Sequence, residues 1–262
     1  MHAPPCASSL WEIGAGCPTL LSTQPARQPW PVRWDVRQLR WEQTSSCPSE
    51  TTSTTVVCRT PTTSAFRHFP KNYYRLRFKV PGTNATVSIV MIDTVTICGN
   101  SDDFQNEQPL HPQELGAARS QMSWLRKQLA NSQDDYLLVA GHYPVWSVGK
   151  HGPTTCLVKH LQPLLLKYKA TAYLCGHDHN LQYLQDKTGL GYVLSGAGNF
   201  MDDNKQHLHE VPAGYLRFFY GHASSQGGFA YIEINAKEMS ITYIEGKGKS
   251  LYKTSLPRRR RF

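Results

Sequence analysis

Two short stretches carry the side chains that could do chemistry. One is Cys175-Gly176-His177-Asp178-His179-Asn180 and the other is Gly141-His142-Tyr143-Pro144. Imidazole is a common ligand for zinc, iron and other borderline metals, so His142, His177 and His179 together suggest a metal site. His177 and His179 are two apart, and in an extended turn they would face different ions or flank one. A glycine before each histidine would let the chain turn sharply at that point. His151, in Lys150-His151-Gly152-Pro153, is a further candidate, able to hydrogen-bond a substrate or pass it a proton. A lone histidine after a strand is ordinarily a satisfied hydrogen-bonding side chain. Two Gly-His turns after two buried strands, with a helix between them, point instead to a site.

Both turns follow apolar runs that read as buried strands: Tyr136-Leu137-Leu138-Val139-Ala140 and Ala172-Tyr173-Leu174. In open α/β sheets, sites form in the crevice beyond the carboxyl ends of such strands. Around them the pattern predicts strands over 73–80, 86–94 and 170–174. A helix over 113–131 would bury Leu115, Ala118, Met122, Leu125 and Leu129, and a second over 157–168 would bend at Pro163. A polar loop is expected over 98–112. Later strands are expected over 181–184, 192–195, 215–220, 229–234 and 240–244, the last three as an antiparallel set. Alternating βα units followed by strands imply a layered α/β domain with packed sheets.

No apolar run is long enough to span a bilayer. The net charge of +9 favours acidic partners such as phosphorylated proteins over basic ones. Part of that charge is the tail Arg258-Arg259-Arg260-Arg261, read as a solvated end with no specific partner, nucleic acid included. Seven cysteines, an odd number, would suit disulfides plus a leftover thiol in a secreted chain. Residues 1–15 have neither a basic start nor an apolar core and do not read as a secretory signal.

Gly-His-Tyr-Pro-Val-Trp from Gly141 and Cys-Gly-His-Asp-His-Asn from Cys175 resemble the calcineurin-like metallophosphoesterases. Within them the chain is similar to the small mammalian-type purple, tartrate-resistant acid phosphatases. The likeness runs from about His68 to the tail, through Tyr73–Leu76, Asp93–Thr96, Gly189–Phe200 and Gly228–Tyr231. It implies two packed mixed β-sheets flanked by helices, incomplete because the N-terminal βαβ portion is missing. It also implies an acid phosphatase acting on phosphate monoesters, phosphoproteins among them. Two metal ions, iron with iron or zinc, would clamp the phosphate and supply hydroxide. By motif match His142 and His177 would hold the divalent ion, His179 the ferric ion, and His151 would lie near the substrate phosphate. The resemblance further implies a Cys98–Cys156 disulfide, glycosylation at Asn84 in Asn84-Ala85-Thr86, a covering loop near 98–112, a monomer, and a lysosomal or secreted location.

The first third departs from this pattern. Residues 1–67 are rich in Pro, Ser, Thr and Arg, show little periodicity, and read as a disordered, non-matching segment ahead of a phosphoesterase portion over 68–262. Shifting the reading frame so that each codon starts on the old third base changes the picture. Trp41 to Arg67 then permits Leu-Gly-Ala-Asp-Phe-Ile-Leu-Ser-Leu-Gly-Asp-Asn-Phe-Tyr and a continuation similar to the family, as expected of family sequence translated out of frame. As written, the chain lacks the family's Gly-Asp-Trp-Gly, Gly-Asp-Asn-Phe-Tyr and Gly-Asn-His-Asp motifs, hence a bridging Asp and several other ligands. Glu12, Asp35, Glu42 and Glu50 are the acidic residues ahead of 68, and none sits in a ligand motif. Partial or no metal occupancy and strongly impaired activity are expected. The alternatives are a non-catalytic metal-binding remnant and a basic interaction module without metal.

Overall fold

The computed structural model describes residues 9–13, 54–55, 72–101, 108–109, 111–198 and 200–259. The rest of 1–71, which includes all of the frame-shift string but Thr54 and Thr55, lies outside the described residues, as do 102–107 and 110 of the 98–112 loop and residues 260–262.

Among the described residues twelve strands form two sheets: β1 Ser9–Ile13, β2 Thr54–Thr55, β3 Tyr74–Lys79, β4 Thr86–Met91, β5 Tyr136–Ala140, β6 Ala172–Cys175, β7 Leu181–Gln185, β8 Gly191–Ser195, β9 Leu216–Tyr220, β10 Gly228–Ile234, β11 Glu238–Glu245 and β12 Ser250–Pro257. The larger sheet has the order β3-β4-β5-β6-β8-β7-β9, and its β4, β5, β6 and β8 run parallel. The smaller is β1-β2-β10-β11-β12. Four α-helices among the described residues accompany them, α1 Thr94–Cys98, α2 Leu115–Ala130, α3 Thr155–His160 and α4 Gln162–Lys167, with a short 3-10 helix at Leu208–Glu210.

The central strands are buried on both sides, which explains why they read as continuous apolar runs rather than alternating ones. Successive residues still point to opposite faces. Ile89, Leu138 and Leu174 meet Ile232, Ile241 and Tyr243 of the smaller sheet. Val90, Val139 and Tyr173 meet Leu125, Leu129, Leu157 and Leu165 of the helices. The layers are therefore sheet, sheet, helices, as expected for two packed sheets.

Four local expectations change. The strand from Thr86 stops at Met91, because Asp93 accepts from the Thr96 amide at 3.0 Å and caps α1, a helix absent from the sequence reading. Leu115 opens α2 but is 60% exposed, contrary to expectation; the other four expected positions are buried. Strand β9 pairs with β7 of the larger sheet rather than with β10, and β12 completes the smaller sheet instead. Within the tail, the described Arg258 and Arg259 have specific partners, contrary to the expectation of a solvated run with none. Arg258 pairs with Asp135, while Arg259 donates to the carbonyls of Asp134, Tyr168 and Ser132. The bend at Pro163 appears as two short helices meeting at Leu161.

Candidate metal and phosphate site

Parallel pairing of β5 with β6, Ala140 opposite Leu174, places the two Gly-His turns side by side. The Gly141 amide donates to the Leu174 carbonyl at 3.0 Å, and the Gly176 amide to the His142 carbonyl at 3.1 Å. The glycines serve differently from the sequence expectation. A Cβ on Gly141 would lie 2.7 Å from Thr94 Cγ2 and 2.8 Å from the Tyr173 hydroxyl, so close packing demands glycine there. On Gly176 a Cβ would meet nothing nearer than 3.8 Å. The left-handed residue is His177 itself, at φ 73°, a conformation uncommon for a non-glycine side chain and one that clusters at functional sites. The turn is coiled, not extended: Asp178 N–H donates to Gly176 O at 3.0 Å and Asn180 N–H to Asp178 O at 2.9 Å.

His177 Nδ1 lies 3.1 Å from His142 Nε2, and its ring sits 4.2 Å from that of His151 and 4.7 Å from that of Tyr143. His179 stands with its ring edge-on to Phe200, 4.1 Å away. Burial pushes the His177 imidazole well below its ordinary pKa, and the neighbouring imidazoles of His142, His151 and His179 push it further the same way. His177 is therefore neutral, with a lone pair to offer.

Beneath the rings lies a buried polar network that the sequence did not signal. Asp178 accepts from the Ser147 hydroxyl and, at 2.9 Å, from the His151 amide. Burial raises its pKa, while those two hydrogen bonds work against the rise. Gln182 donates to Ser147 Oγ and Asn180 Oδ1, both at 2.8 Å, and accepts from the Val148 amide at 3.0 Å. Gly149 leaves room for the carboxylate, since a Cβ there would come within 2.7 Å of Asp178 Cγ. Asp178 thus fixes the backbone that carries His151; it does not face the imidazoles as a ligand.

The described residues on either side of 102–107 are tied down. The Cys98–Cys156 disulfide joins α1 to α3, as the resemblance implied. Ser101 Oγ lies 3.5 Å from His177 Nε2, and Gln108 Nε2 donates to the His151 carbonyl at 2.7 Å. Cys175 is free, buried, and raised well above the ordinary thiol pKa by that burial. Asn84 is exposed on the turn between β3 and β4.

Residues 60–181 match the family model for calcineurin-like phosphoesterases. Over 194 residues the chain is 68% identical to tartrate-resistant acid phosphatase type 5 of Rattus norvegicus, covering 74% of this chain and 59% of that protein. The chain is similar in sequence to the tartrate-resistant acid phosphatases. It spans about three fifths of the length of the curated relatives it matches. In fold it is similar to the purple acid phosphatase PPD1 from yellow lupin, with TM-score 0.51 and 15% identity over 76% of this chain and 34% of that one. It is also similar to GAP50, the anchor in the inner membrane complex of Plasmodium, with TM-score 0.60 and 21% identity over 73% and 56% of the two chains.

A purple acid phosphatase implies a binuclear metal centre. The donors described here do not fit one. Among the described residues no three His, Cys, Asp or Glu side chains are placed to hold an ion. His142 and His177 approach each other, the His179 ring stands against Phe200, and Asp178, between His177 and His179 in the chain, is engaged by Ser147 and His151.

Proposed function

We propose that the chain carries the C-terminal part of a phosphomonoesterase site of the purple acid phosphatase type, and that with these donors its turnover of phosphate esters is strongly impaired. The observation that carries this is the approach of both His142 and His151 to the His177 ring beyond two neighbouring strand ends. A binuclear centre of iron with iron or zinc needs anionic oxygen donors to offset its charge, and the ferric ion beside His179 needs them most. Occupancy is accordingly partial or nil. His151 is suited to the substrate phosphate: Asp178 and Gln108 fix its backbone at both amide and carbonyl, and its Nδ1 is buried without a hydrogen-bond partner among the described residues. Phosphate monoesters, including phosphoproteins, are the substrate class; no specific nucleic acid is invoked, and the chain acts as a monomer. The disulfide and the exposed Asn84 support passage through an oxidising, secretory route to a lysosomal or secreted destination.

The non-catalytic alternative of a metal-binding remnant is favoured by one observation, the 3.1 Å approach of the His142 and His177 nitrogens. The alternative of a purely basic module is weakened by the pairing of Arg258 with Asp135. Hydrolysis of an aryl phosphate by the purified chain, beside His177→Ala, tests the proposal. Turnover more than about 100-fold below that of a full-length relative is expected, since loss of even a supporting partner costs about 10–100-fold. Any residual rate is expected to vanish in His177→Ala. Brisk turnover, or a residual rate that His177→Ala leaves untouched, would refute it.

A further inference from the structure

His151 stands on a tight turn, Gly149 to Gly152, in which the Gly152 amide donates to the Gly149 carbonyl at 3.2 Å. A segment over 202–210, which nothing in the sequence singled out, crosses this turn. It starts beside the other histidine loop, where the Asp202 amide donates to the His179 carbonyl at 2.8 Å. The Asn204 amide then donates to Asp202 Oδ1 at 2.8 Å and the Gln206 amide to Asn204 Oδ1 at 2.7 Å. At the turn the His207 amide donates to the Val148 carbonyl at 3.3 Å. The His207 ring covers Gly152, where a Cβ would lie 2.7 Å from His207 Cγ. We propose that His207, with Gln206 and Glu210, is a positioning residue for His151, holding the turn that presents that imidazole to the substrate phosphate; this rests on the role given to His151 above.

The peptide between Lys150 and His151 carries the argument. Its N–H donates to Asp178 Oδ1 at 2.9 Å, and its carbonyl accepts from Gln206 Nε2 at 3.0 Å. A peptide unit is planar, so bonds at opposite edges fix its tilt and with it the direction in which His151 leaves the backbone. The hydrogens of His207 fit the same scheme. Its Nδ1 lies 2.9 Å from Glu210 Oε1, and an ionised carboxylate only accepts, so Nδ1 carries a proton. In the neutral ring Nε2 then accepts from Gln206 Nε2, 2.9 Å away, which gives its other hydrogen to the Lys150 carbonyl. In the charged ring Nε2 donates to that carbonyl itself, 3.2 Å away, so either form holds it. Without this relay the peptide is held at one edge only, and it can tip about the Asp178 bond.

Imidazole spectra of the histidine-labelled chain, with the His151 resonances assigned through His151→Ala, test this. His207→Ala and Gln206→Ala should each move or broaden those resonances and weaken inorganic phosphate binding by about 10-fold, the lower end of what a lost supporting partner costs. Glu210→Gln keeps an acceptor for Nδ1 and should leave His151 in place, as should His209→Ala in the same short turn, whereas Glu210→Ala should move it. Circular dichroism checks that each variant folds; should His207→Ala not fold, Gln206→Ala decides, since it removes only an exposed side chain. Unmoved His151 resonances in folded His207→Ala and Gln206→Ala, or equal movement in His209→Ala, would overturn the proposal. Phosphate that leaves the parent's His151 resonances untouched would overturn the role given to His151 instead, and the unliganded spectra would still decide whether His207 positions it.

Discussion

Replacing Ser147 with alanine probes the polar network under the histidines. Ser147 is fully buried and its hydroxyl serves three partners. It donates to Asp178 Oδ2, and it accepts from the Gly149 amide at 3.0 Å and from Gln182 Nε2 at 2.8 Å. After the substitution Gln182 keeps Asn180 Oδ1, and Asp178 keeps the His151 amide. The Gly149 amide loses this acceptor, and the buried carboxylate loses a charge-assisted hydrogen bond. The second loss costs about 1.5–3 kcal/mol and an unsatisfied buried amide about 1–3 kcal/mol. A total near 3–5 kcal/mol follows, a large share of a stability that for a domain is typically about 5–15 kcal/mol. Urea denaturation followed by tryptophan fluorescence reads it. The site should respond too: the His151 imidazole resonances, assigned by comparison with His151→Ala, should broaden or move as the backbone they hang from loosens. A loss below about 1 kcal/mol with unmoved His151 resonances would show that the network neither stabilises the fold nor positions that residue.

Two further predictions concern the opposite end of β5. Asp134 is buried and receives Arg77 Nε at 2.6 Å and Arg75 Nη2 at 2.7 Å. Burial alone would raise its pKa, but the hydrogen bond and charge of Arg77, with Arg75, hold it below the ordinary carboxylate value. A depressed pKa stabilises above the unfolded value of about 4 and is lost as pH falls through the folded one. Asp134→Asn should therefore cost about 2–3 kcal/mol at pH 7, most of it through Arg75 because Arg77 is 62% exposed, and the gap to the parent should close below pH 4. Denaturant midpoints across pH 3–7 check this; a pH-independent gap would contradict it. Ending the chain at Pro257 removes the Arg258–Asp135 pair and the Arg259 bonds that gather the Ser132, Asp134 and Tyr168 carbonyls. A fall in Tm of several degrees is expected, whereas an unchanged Tm would restore the reading of a solvated tail.

Much of the fold was legible in the chain because the central strands are short apolar runs bounded by turn residues. Tyr136–Ala140 coincides with β5, and the helix over 113–131 coincides closely with α2. Helix α1 was not legible, since Thr94-Val95-Thr96-Ile97 is β-branched and only the Asp93 cap makes it helical. The partner of β9 was not legible either, because strand pairing depends on which edge is near, and an alternating sequence fits either sheet.

For the site, sequence alone determined the kinds of side chain and their places beyond two strand ends, since residue type sets ligand chemistry and an apolar run followed by Gly-His sets position. Tertiary structure decided how they face one another. The parallel register of β5 and β6 brings His142 to His177, His179 comes to stand against Phe200, and Asp178 turns inward to Ser147. Gln182 shows why the supporting network could not be read from the chain: in Leu181-Gln182-Tyr183 alternation suggests a solvent-facing amide, yet its strand is covered on both faces and the amide is buried. Whether a polar residue on a strand meets water or a partner is settled by the layer packed over it, and that layer comes from elsewhere in the chain.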